Sequence, residues 1–141
     1  NIIDLKNRLD IINIHKEKAN FIETLRVISR ISKLANNGNF KTSILLFSGY
    51  VNPSLFEKEC EIKVFEFIKE LEKLITLNNW DYFQLFNLFE ANVDNLNELF
   101  DNDKGVLIMA EDTETRNNRL NLLGLVRNYS LKIADFTLLN S

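Results

Sequence analysis

Four glycines and a single proline in 141 residues leave this chain few turn formers. Its apolar residues recur at intervals of three and four rather than two, which predicts an all-α chain. A hydrophobic content of 45% is enough for one helical bundle with its own core, spanning residues 1–141 as a single domain. The helical pattern is already under way at Ile2, with no methionine and no charged-then-apolar leader before it. The segment is therefore expected to be cut from a longer protein and to carry no signal peptide. No apolar run reaches the roughly 18 residues of a membrane span.

Five helices are predicted. The first covers about Ile2 to Ile14, with Ile2, Leu5, Leu9 and Ile12 on one face, and "HKEKAN" breaks it. The second runs from about Phe21 to Asn36, with Asn20 as its N-cap and Gly38 as a left-handed stop. Asn52 and Pro53 open the third, which continues to about Leu77 with Phe56, Cys60, Val64, Ile68, Leu71 and Ile75 inward. Its outer face, which includes Glu57, Lys58, Glu61, Glu66 and Lys69, reads as solvated. "NNWDY" starts the fourth, where Tyr82, Leu85, Phe86, Phe89, Val93, Leu96 and Phe100 form a stripe that reads as core rather than as a base-stacking surface. Val106 to Met109 read as a buried extended connector. Asp112 or Thr113 then caps the fifth helix, which runs to about Phe136.

Lone Cys60 excludes an internal disulfide and suits a reducing cytosol. With His15 as the one histidine, there is little to ligate a transition metal or to run a nucleophile–base pair, so neither catalytic nor metal residues are assigned. A formal net charge of −3 argues against a generic nucleic-acid binder, so any RNA contact must come from a local concentration of cations. Asparagine pairs at 36–37, 78–79 and 117–118 read more simply as compositional bias than as a site.

One such concentration lies on the second helix. Glu23, Arg26, Arg30, Lys33 and Asn37 share a narrow stripe on an otherwise apolar helix. A buried helix needs some polar ridge, where Lys and Arg can snorkel. Three cations with one acid exceed that need, and arginine grips phosphates and base edges with a planar fork. On the fifth helix the polar stripe is Glu114, Asn117, Asn121, Asn128, Lys132 and Asp135. Arg119 instead falls among Leu122, Leu123, Val126 and Tyr129. A buried guanidinium must be paired, and Glu111, Asp112, Asp101 and Asp94 are the candidate partners. Arg119 with Asp112 is thus expected to clamp the helix start to the preceding connector, while Arg116 and Asn117, nearer the tip, are contact candidates.

These segments resemble the C-terminal end of the β subunit of bacterial heterotetrameric glycyl-tRNA synthetase. The family's closing run is matched by Val106, Ile108, Ala110, Glu111 and Asp112, then Arg116, Asn118, Arg119, Leu120, Leu122 and Leu123, then Ala134, Asp135 and Leu138. "VNPSLFEKECEIKVFEF" resembles its entry to a long helix through Val51, Leu55, Phe56 and Glu61, and "FIETLRVISRISKL" its basic helix, with Arg30 on the arginine. The chain departs by a longer connector at "NDKG" and by Lys33 in place of an asparagine. The resemblance implies a DALR-type anticodon-binding domain that holds tRNA(Gly) in an α2β2 cytoplasmic enzyme. Glycine activation with ATP and Mg²⁺ then belongs to the α subunit, and this segment has no catalysis or cofactor of its own. Arg26, Arg30, Lys33, Arg116 and Asn117 become candidate RNA contacts. Two alternatives stay open: the corresponding domain of an arginyl-tRNA synthetase, and a helical module whose basic ridge docks an acidic partner chain.

Overall fold

The computed structural model describes residues 18–138. Within them are five α-helices and no strand: α1 (Lys18–Ala35), α2 (Glu59–Ile75), α3 (Tyr82–Ala91), α4 (Val93–Glu98) and α5 (Thr113–Ser130). Short 3₁₀ turns stand at Pro53–Leu55 and Phe136–Leu138. The helix predicted for Ile2 to Ile14 lies outside the described residues, as does His15. An all-α bundle is what the periodicity required.

At the centre is α5, in which every residue from Leu122 to Ser130 is buried. Against it lie α1, through Val27, Ile28, Ile31 and Ala35, and α2, while α3 and α4 pack on α1 and α2, with Phe67, Ile68, Leu85, Phe86, Phe89 and Leu96 buried. The predicted fourth helix is split in two at Asn92, whose amide donates to Leu88 O at 2.9 Å and so competes with the helical ladder. Its aromatic stripe is core, as expected, except that Tyr82 is exposed.

Other boundaries differ for local reasons. Asn20 lies inside α1 rather than capping it, and its carbonyl accepts from Thr24 Oγ1. Gly38 is not left-handed; a Cβ there would sit 3.2 Å from Leu120 Cβ, so packing against α5 is what limits its size. Pro53 opens a separate 3₁₀ turn, and α2 begins only at Glu59. The connector alternates rather than lying buried throughout: Ile108 is in the core while Leu107 and Met109 face solvent. The last helix stops at Ser130, where the chain turns to bring Phe136 under α1.

Between α1 and the Pro53 turn runs a wrapping segment, residues 36–52, with no regular structure beyond turns. Side chains of α5 meet its main chain at six points. Arg127 Nη2 donates to Phe40 O (2.8 Å), Asn128 Nδ2 to Lys41 O (2.8 Å) and Ile44 O (2.7 Å), and Tyr129 Oη to Leu45 O. Asn121 Nδ2 donates to Tyr50 O (2.9 Å). Asn118 exchanges two bonds with Asn52, accepting from its N–H at 2.7 Å and donating to its carbonyl at 3.1 Å. Asn128 is thus buried, not part of a solvated stripe. Gly124 completes the grip, because an added Cβ would lie 2.6 Å from Phe40 Cδ2.

Candidate nucleic-acid interface

Arg119 is buried, but its partners are not the predicted ones. Its Nε donates to Glu61 Oε2 at 3.3 Å, Nη2 to Glu57 Oε1 at 2.6 Å and Nη1 to Leu107 O at 2.9 Å. Glu61, expected on a solvated face, is fully buried, and its other oxygen accepts from the N–H groups of Glu57 and Lys58. The carboxylate therefore caps the start of α2 while balancing the cation. Asp112 has a different task. It is the N-cap of α5, accepting from Thr115 N at 2.9 Å, and that bond chiefly holds its carboxyl below the ordinary aspartate range. Arg119 does tie α5 to the connector, through Leu107 O, and ties both to the start of α2.

On the outer side of α1, Arg26, Arg30 and Lys33 are exposed along one line, as the spacing predicted. They border a cleft of about 540 Å³ with Ser29, Leu34 and Asn37. The exposed Arg30 guanidinium is held over the Phe100 ring, its Cζ 4.0 Å from the centroid. Arg26 makes a long exposed pair with Glu23 (3.9 Å), worth little, and Glu23 also accepts from Asn97 Nδ2.

Asn37 belongs both to this cleft and to a second hollow of about 610 Å³, whose walls include Asn39, Lys41, Tyr50, Arg116, Asn117 and Asn121. The fold therefore brings the two predicted groups onto one continuous surface. Arg116 is half-buried rather than free at the tip. Its guanidinium donates to Ala110 O (3.0 Å) and Glu111 O (3.3 Å), which positions it without neutralising it. Asn117 is exposed, and its side chain makes no hydrogen bond to another described residue.

Sequence reasoning missed Lys41 and Tyr50, because a loop residue has no period to locate it. It also missed Arg127, a buried guanidinium that donates, among the described residues, to neutral acceptors: Asn36 Oδ1, Asn128 Oδ1 and Phe40 O. Burial pushes its pKa down. Among the described residues, no group of three or more His, Cys, Asp or Glu could hold a metal ion, and no helix is long and apolar enough to cross a membrane.

This surface is borne by a chain with clear relatives. No family model matches it. Along 96% of its length it is 31% identical to a glycine–tRNA ligase beta subunit from Picosynechococcus, covering 19% of that protein. Over 86% of its length it is 31% identical to the beta subunit of Acaryochloris marina and 32% identical to that of Synechocystis. These alignments span 19% and 18% of the two subunits. Over 86–96% of its length the chain is thus similar to glycine–tRNA ligase beta subunits, and it spans about a fifth of their length.

Proposed function

We propose that this chain is the anticodon-binding domain of a glycyl-tRNA synthetase β subunit, of the DALR type and from its C-terminal end. It holds tRNA(Gly) while a cytoplasmic α2β2 enzyme aminoacylates it. Glycine activation, with ATP and Mg²⁺, is assigned to the α subunit, so this segment contributes binding rather than catalysis. One observation carries the reading. A chain of net charge −3 gathers Arg26, Arg30, Lys33, Lys41 and Arg116 around two adjoining recesses and leaves Asn37, Asn39 and Asn117 between them. Cations supply salt-dependent phosphate contacts, and amides can pair with the exposed edges of unstacked loop bases.

The test is tRNA(Gly) binding by the full-length β subunit, assembled with its α partner, at two salt concentrations. Arg26→Ala and Arg30→Ala should weaken binding and flatten the salt slope by roughly one unit per lost phosphate contact, with unchanged urea melts. Unaltered tRNA affinity in both variants and in Arg116→Ala would sink the reading and favour an acidic protein partner.

A further inference from the structure

Tyr50, 45% exposed as a residue, stands in the wall of the larger hollow, although its position is fixed on several sides. Gly49, at φ 84°, makes the turn that presents it. The Tyr50 N–H donates to Phe47 O (2.9 Å), and its carbonyl accepts from Asn121. Phe40 meets the ring edge-on, with centroids 5.3 Å apart at 88°. A single exposed aromatic is ordinary. A rigidly held one, walled by amides and bordered by Lys41 and Arg116, is a preorganised stacking surface that loses little freedom on binding.

We propose that this hollow takes one unstacked nucleobase of a single-stranded RNA loop, laid face-on against Tyr50. The base edge meets the Asn117 amide, and a flanking phosphate lies near Lys41 and Arg116. This rests on the RNA reading above and divides the surface: the α1 ridge follows the phosphate backbone, whereas Tyr50 and Asn117 take a base. A neighbouring hollow on the other side of Tyr50, Asn117 and Asn121 carries Glu114 and is the poorer host for an anionic strand.

The test uses the assembled full-length protein and a set of tRNA(Gly) molecules, each lacking one anticodon-loop base. Stacking on an aromatic contributes about 1–3 kcal/mol per base, so Tyr50→Ala should weaken intact tRNA by about 5- to 150-fold at unchanged salt slope, while Tyr50→Trp retains binding. One abasic position should cost the wild type a similar factor and cost Tyr50→Ala almost nothing further. A merely structural role would lower affinity for every RNA equally and leave that abasic penalty intact, which overturns the assignment. So would Tyr50→Ala binding like wild type while Arg26→Ala is weakened; the RNA reading then survives and the base site does not. If neither variant alters binding, both readings fall.

Discussion

Arg119 and Glu61 meet inside the bundle, Nε to Oε2 at 3.3 Å, from residues that are 5% and 0% exposed. Glu61 also caps the start of its own helix, and Arg119 also satisfies a carbonyl of the connector, Leu107 O. Removing Arg119 strands the buried Glu61 carboxylate, whereas removing Glu61 leaves Arg119 its pair with Glu57 at 2.6 Å. Arg119→Ala should therefore cost about 3–5 kcal/mol in urea melts, and Glu61→Ala less, because Glu57 still balances the guanidinium. The double variant should cost clearly less than the sum, because the two share one interaction. Arg116→Ala, whose hydrogen bonds are at the surface, should cost no more than about 1 kcal/mol.

Gly124 makes a steric prediction. A methyl there would stand 2.6–2.9 Å from three atoms of Phe40, so the wrapping segment must lift off or the ring must move. Gly124→Ala should destabilise by about 1–3 kcal/mol despite alanine's better helix propensity. Amide exchange should show the loosening concentrated near Phe40 to Leu45.

The cap of α5 makes a pH prediction. Thr115 N–H, the chief cause, depresses the folded pKa of Asp112, so its contribution is present above the ordinary aspartate range. That contribution is lost as pH falls through the lowered value. Asparagine caps about as well without titrating. Asp112→Asn should thus match wild type at neutral pH and show a smaller loss of urea midpoint in acid. Following the Thr115 amide resonance against pH locates the effect.

Cys60 is fully buried, and burial foremost pushes its thiol pKa up. A thiol-specific reagent at neutral pH should react with it only through opening of the fold. The labelling rate should rise with urea in step with the unfolded fraction, and prompt labelling of folded protein would contradict its placement.

Helical period made the bundle legible in the sequence, along with the exposure of Arg26, Arg30 and Lys33. It also marked Arg119 as a buried charge, since an arginine between leucines on one face has nowhere else to point. The choice of partner was not legible. Nearby Asp112 and Glu111 compete on paper with Glu61, 58 positions away, and only the packing of α2 against α5 decides between them. Asn118, Asn128 and Arg127 were misread or passed over for a related cause. Period tells which residues face inward but not that a loop's carbonyls will be waiting there. Lys41 and Tyr50 gave no signal, because residues 36–52 follow no repeat.

The hold of α5 on that loop is addressed almost wholly to main-chain oxygens, at Phe40, Lys41, Ile44, Leu45, Tyr50 and Asn52. Carbonyls are the same whatever residue carries them. Outward side chains at Asn39, Lys41 or Thr42 can therefore be exchanged by mutation while the backbone stays moored. A lineage could retune what this edge touches, one residue at a time, with the anchoring helix left untouched.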